Sequence, residues 1–97
     1  IRPVRPGEIL LEDCMKPLAL RANALAKALA VPAPRVNDTV RERRGVSADT
    51  ALRLARYFGG DARSWLNLQT AYDLRVAQIK SGKRIAREIK PAQVRSD

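Results

Sequence analysis

The chain has 97 residues, a length that supports one domain with a small core, best filled by a helical bundle or completed by dimerisation. Apolar residues make up 45% and charged residues 30%, a globular composition rather than one that keeps a chain disordered. Lys and Arg number 19 against 10 Asp and Glu, so the formal charge is +9 and a polyanion is the first partner to consider, nucleic acid before an anionic membrane or an acidic protein. No histidine is present and Cys14 is the single cysteine, so no metal-ligand spacing and no internal disulfide can form. With no nucleophile or acid–base constellation the chain is not expected to be an enzyme; Ser47 and Ser64 read as helix caps. No cofactor is implied. No charged leader and no apolar run long enough to span a bilayer is seen, and a cytoplasmic location is expected.

Apolar residues recur at spacings of three and four almost throughout, which predicts an all-α fold of five helices. The first opens at Pro6-Gly7-Glu8 and runs to about Met15, where Pro17 stops it, with Leu11, Met15 and Leu18 on its inner side. A second, over residues 22 to 29, aligns Leu25, Ala26 and Leu29. Val31-Pro32-Ala33-Pro34 then forces a turn and starts a third helix, with Val36 and Val40 facing inward and Thr39 beside them. Its outer face carries Ala33, Pro34, Asn37, Asp38 and Arg41.

Arg43-Arg44-Gly45-Val46 is a basic connector. Ser47 caps a fourth helix with Asp49 in its first turn, Ala51, Leu54, Ala55 and Phe58 on one face, and Gly59-Gly60 as its stop. Asp61 or Ser64 caps a fifth, whose Trp65, Leu68, Tyr72, Val76 and Ile79 form a stripe that Gly82 is expected to end. Residues 83–97 are Lys- and Arg-rich, contain Pro91, offer only Ile85 and Ile89 for packing, and are expected to form a short helix or a basic tail. The stripe reads either as core or as a homodimer interface, with Trp65 in the core and Leu74, Val76 and Ile79 toward a partner copy. Cys14 reads as a buried small hydrophobe.

Two short helices joined by a tight turn, the second polar on its outer face, make a helix-turn-helix. The third helix is the one to enter a major groove about 12 Å wide. Asn37 suits adenine, Asp38 accepts from cytosine, the Ala33 methyl suits thymine, and Pro34, Arg35 and Arg41 complete the candidate base-reading set. Arg21, Asn23, Lys27, Arg43 and Arg44 are the candidate phosphate contacts. A solvated polar face is the plainer reading of each. RNA fits less well, because Trp65, Tyr57, Tyr72 and Phe58 sit at helical core positions rather than as stacking platforms.

The stretches Arg2-Pro3-Val4-Arg5-Pro6-Gly7-Glu8-Ile9-Leu10, Asn23-Ala24-Leu25-Ala26-Lys27-Ala28-Leu29 and Arg44 to Ala55 resemble the HigA family of antitoxins, in the lambda-repressor-like (XRE) helix-turn-helix class. The most specific part is Trp65-Leu66-Asn67-Leu68-Gln69 followed by Tyr72-Asp73-Leu74, and the resemblance covers about residues 2 to 80. Residues 1–82 are expected to form one DNA-binding and dimerisation domain; the resemblance implies a homodimer on a palindromic double-stranded operator that represses its own promoter, and a HigB-like mRNA interferase as toxin partner. The alternatives are a stand-alone regulator of the same class and a basic protein-interaction module.

The chain departs from the family at three turns. Arg21 replaces the usual serine N-cap, Ala30 replaces the turn glycine, and Arg41-Glu42 replaces Asn-Gly. Losing the cap costs about 1 kcal/mol. Ala30 either keeps a positive φ at a cost of roughly 1 kcal/mol or re-shapes the turn. Arg41-Glu42 leaves room for the third helix to run another turn and present Arg41 differently.

Overall fold

The computed structural model describes residues 3–93. Arg2, the first residue of the N-terminal resembling stretch, and residues 94–97 of the expected basic tail lie outside the described residues. Every regular element described is helical: α1 (Pro6–Ile9), which passes into a π-helical stretch (Leu10–Met15) and a 3₁₀ turn (Lys16–Leu18), then α2 (Ala22–Leu29), α3 (Ala33–Val40), α4 (Ala48–Phe58) and α5 (Ala62–Glu88). The core gathers Leu10 and Met15 from the π-helical stretch and Leu25, Val36, Leu54 and Trp65 from α2 to α5, so the elements are held by one another. Burying side chains of this size contributes about 1.5–3 kcal/mol apiece.

Local signals explain most boundaries. Pro6 occupies the first turn of α1, where its missing N–H is not needed. Ser47 Oγ accepts the Thr50 N–H at 3.3 Å and Asp61 Oδ1 accepts the Ser64 N–H at 2.8 Å, so both expected caps form, with Asp61 rather than Ser64 in the role for α5. At Gly59 and Gly60 the chain leaves α4 through positive φ values of 90° and 81°. Arg21 precedes α2 in an extended conformation and makes no side-chain cap bond, as the loss of serine there implies.

The third helix does not run on. It ends at Val40, because Glu42 adopts φ 65° and turns the chain back: the Glu42 N–H donates to Thr39 O at 3.0 Å and the Arg43 N–H to Asp38 O at 2.8 Å. This is the Schellman closure, ordinarily built on glycine. The same closure ends α2, where Ala30 keeps φ 58° with Ala30 N–H to Lys27 O and Val31 N–H to Ala26 O, so the turn is strained rather than re-shaped. Ala19 (φ 53°) does likewise after the 3₁₀ turn.

Three further expectations are corrected. Pro17 does not stop the first helical segment but sits within the 3₁₀ turn that follows the π stretch. That shift in winding puts Leu10 and Met15 inside and leaves Leu18 exposed. Gly82 does not end α5. Good helix formers follow it and Arg84 pairs with Glu88 at 3.4 Å, so the helix propagates through the glycine to Glu88. Cys14 is half-buried rather than fully buried; burial, then the neighbouring Asp13 carboxylate, pushes its thiol pKa above the ordinary range. With 27 residues α5 is about 40 Å long by helical rise, which accounts for the 59 × 28 × 22 Å shape.

Candidate nucleic-acid interface

The candidate site is α3 with the turns at its two ends. Val36 and Thr39 are buried, and the Thr39 hydroxyl donates back to Arg35 O at 2.9 Å, so even its polar inner atom is satisfied. Pro34 and Arg41 are exposed, and Ala33, Arg35, Asn37 and Asp38 are half-buried. The Asn37 amide donates to Ala33 O at 3.1 Å and Asp38 contributes its main-chain carbonyl to the closing turn, accepting also from the Arg44 N–H at 3.2 Å. Arg21, Asn23, Lys27, Arg43 and Arg44 are all exposed, Arg21 to Lys27 along α2 and Arg43 and Arg44 in the connector.

Arg35 is held away from the rest. Its Nη1 donates to Asp49 Oδ2 at 2.6 Å, and Arg53 Nε donates to the same oxygen at 2.8 Å. Arg53 Nη1 also reaches the carbonyls that end α2, Leu29 O at 2.9 Å and Ala30 O at 3.3 Å. One guanidinium thus ties the turn between α2 and α3 to α4, and satisfies carbonyls that a helix end leaves unpaired. The Arg53 hydrogen bond holds the Asp49 carboxyl below its ordinary pKa; desolvation opposes it, and the Arg35 hydrogen bond adds a smaller lowering. The sequence reading missed this cluster. The four-residue spacing of Asp49 and Arg53 was its only visible signal, and nothing in the spacing points to Arg35.

At the other end, α3 is packed against α1 so closely that a Cβ on Gly7 would lie 2.0 Å from Thr39 O. Arg5 forms an ion pair with Glu42, and its guanidinium lies 5.7 Å from the centre of the Tyr72 ring. The Val46 N–H donates to Gln69 Oε1 at 2.8 Å, while Gln69 Nε2 donates to Asp73 at 2.9 Å. Gln69, held by Asp73, therefore seats the connector that carries Arg43 and Arg44, and Tyr72 backs the Arg5 guanidinium.

The fold recurs in known proteins. No protein-family model matches the chain. Virulence-associated protein I of Dichelobacter nodosus is 65% identical over 75 residues, 77% of this chain and 69% of that protein. The antitoxin HigA of Pseudomonas aeruginosa, solved with the higBA promoter, superposes with a TM-score of 0.92 at 50% identity, covering 95% of this chain and all of the other. The chain belongs to the HigA family of antitoxins. The antitoxin GraA, solved in complex with its operator, is similar over 97% of this chain and 95% of its own, with 47% identity and a TM-score of 0.91. The fold is accordingly the all-α, lambda-repressor-like helix-turn-helix domain. Within the HigA family the segment Trp65 to Leu74 acquires a physical meaning here: Trp65 fills the core, and Gln69, Tyr72 and Asp73 hold the end of α3 and its connector.

Among the described residues no group of His, Cys, Asp and Glu is arranged to hold a metal ion, and no helix is long and apolar enough to cross a membrane.

Proposed function

We propose that the chain is the antitoxin of a toxin–antitoxin pair: a homodimer that binds the operator of its own gene through α3, represses transcription, and neutralises an mRNA-cleaving toxin. The observation that carries this reading is the likeness, over nearly the whole chain, to an antitoxin solved with its promoter DNA. The exposed cations of α2 and of the connector supply the sequence-independent affinity, and Pro34, Asn37, Asp38 and Arg41 the base contacts. Arg35, occupied by Asp49, serves better to set the angle of α3 than to read a base.

The homodimer draws support from α5. Leu74, Ile79, Ile85 and Ile89 are 58%, 60%, 47% and 64% exposed. Ala71, Leu74 and Ile85 fall on one side of the helix, with polar Gln78 and Ser81 between them, and Ile79 lies off that side. Val76 falls on another side of the helix, half-buried and in line with Trp65 and Tyr72, and so contributes less to a pairing face than Leu74.

The test is a titration of the chain against the DNA upstream of its own gene and against a shuffled duplex at two salt concentrations. A preference of about 10³ or more at physiological salt with two protomers per site is expected. Asn37→Ala and Arg41→Ala should reduce that preference, whereas Arg43→Ala and Arg44→Ala should weaken both duplexes and flatten the salt dependence. Equal binding of both duplexes by the unmutated chain would sink the repressor reading. Rescue of growth when the chain is co-expressed with the product of the adjacent gene tests the antitoxin role.

A further inference from the structure

Glu42 is a costly residue where it stands. Its φ of 65° lies in the left-handed region that favours glycine, and its carboxylate sits between Arg41 and Arg43 in the stretch that the proposed function presents to phosphates. Burial offsets little of either cost, since the Glu42 side chain is only partly buried, with 26% of its surface exposed. What offsets them is Arg5, 37 residues away in sequence. Arg5 is fixed from its own side: its carbonyl accepts from the Glu8 and Ile9 N–H groups at the start of α1, and Gly7 locks that start against Thr39 O. From this anchored position its guanidinium pairs with Glu42 and lies over Tyr72 of α5. Three elements, α1, the end of α3 and α5, meet on this one side chain.

We infer that Glu42, clamped by Arg5, is a positioning and specificity-determining residue of the DNA-binding surface. The clamp fixes the left-handed turn from which the Arg43 and Arg44 N–H groups return to Asp38 O, and so sets the directions of the two connector arginines. It also withholds one positive charge from the DNA, because Arg5 is spent on Glu42 instead of on a phosphate, which lowers affinity for any duplex without lowering discrimination. This rests on the repressor reading above and adds to it a residue that reads no base.

The experiment uses the full chain with Arg5→Ala, Glu42→Gln and the double variant, titrated against the duplex upstream of its own gene and a shuffled duplex across a salt series. Thermal unfolding of each variant is recorded alongside. Glu42→Gln keeps the side-chain size, releases Arg5, and should strengthen binding to the shuffled duplex while steepening the salt slope by up to about one unit. Arg5→Ala leaves the Glu42 charge bare and should weaken operator binding about tenfold, a change the size of one mismatched base pair. In the double variant the affinity for the shuffled duplex should return toward that of the unmutated chain, while the operator preference stays reduced because the end of α3, with Asp38 and Arg41, is no longer held. Unchanged preference and salt slope in both single variants overturns the inference, as does an Arg5→Ala effect of the same size with and without Glu42. If the unmutated chain shows no operator preference, the repressor reading fails separately, and the salt slopes on the shuffled duplex still decide whether Glu42 and Arg5 are coupled.

Discussion

The two ends of α3 are held by different physics. At its start, the turn from α2 is tied by charge and hydrogen bonds at the surface: Arg53 on the carbonyls of Leu29 and Ala30, with Asp49 gathering Arg53 and Arg35. At its far end a surface ion pair, Arg5 with Glu42, closes the turn, but beneath it the fixing is steric and partly buried: the backbone of Gly7 against Thr39, and the Gln69 amide on the Val46 N–H. Surface charge contacts are screened and adjustable, whereas a backbone contact with no room for a methyl group is not. The far end is therefore the rigid reference of the reading helix, and the near end is the one that solvent conditions can tune.

This contrast can be broken at Gly7. A Cβ placed 2.0 Å from Thr39 O cannot be accommodated by a side-chain rotation, because the obstacle is main chain, so α1 must move off α3. Gly7→Ala should cost about 3 kcal/mol or more, at the upper end of overpacking penalties, and chemical denaturation with an unchanged m value would measure it. A loss under 1 kcal/mol would mean that the two helices are not in register here.

Gln69→Ala tests the same end at smaller scale. It strands the N–H of buried Val46 and lets the connector drift, for an expected loss of about 1–3 kcal/mol in denaturant unfolding. It should also raise the hydrogen-exchange rate of the Val46 amide selectively, leaving amides in α4 protected. Loss of protection throughout α4 would instead make Gln69 part of the general core.

The near end was the more legible in the sequence, and only in outline. Alternating prolines between Val31 and Pro34 and the Leu25, Ala26, Leu29 spacing fixed α2 and the start of α3 by local rules, and Ser47 and Asp61 announced their helices. What stayed hidden depends on tertiary approach: Arg5 meeting Glu42, Arg35 meeting Asp49, Gln69 meeting Val46. Each joins elements far apart in the chain, and spacing carries no information about which exposed charges face one another. The misread ends have a different cause. A single glycine at position 82 was weighed as a stop, but one residue costs a helix only about 1 kcal/mol, less than the propensity of the residues after it supplies. Arg41-Glu42, standing where the family has Asn-Gly, leaves room for more helix, whereas the backbone closes there with Glu42 at a positive φ.

Ala30 sharpens the near end with an opposite sign. It holds φ 58° where glycine pays no steric penalty, so Ala30→Gly should stabilise the chain by up to about 1 kcal/mol, reduced by the extra freedom glycine gains when unfolded. A rise in melting temperature of a few degrees checks it. A fall would show that the Ala30 methyl makes packing contacts worth more than the strain.

The smallest effect, and the one that separates the two ends most cleanly, is their response to acid. Asp49 has its pKa lowered in the folded chain by the hydrogen bond from Arg53 and then by that from Arg35. A group with a depressed folded pKa stabilises the fold above its unfolded value, near about 3.9 for an aspartate, and that contribution is lost as pH falls through the folded value. Because the carboxylate is solvent-exposed, the contribution is small and weakens with salt. Thermal unfolding of the unmutated chain and of Asp49→Asn should therefore differ measurably at pH 7 and low salt, and converge as the pH is taken below the ordinary aspartate range and through the lowered folded value. Gly7→Ala, which involves no titrating group, should keep its full deficit over the same range. If instead the Asp49→Asn difference persisted unchanged in acid, the cluster would act by shape and hydrogen bonding alone, and the distinction between a tunable and a fixed end of α3 would fall.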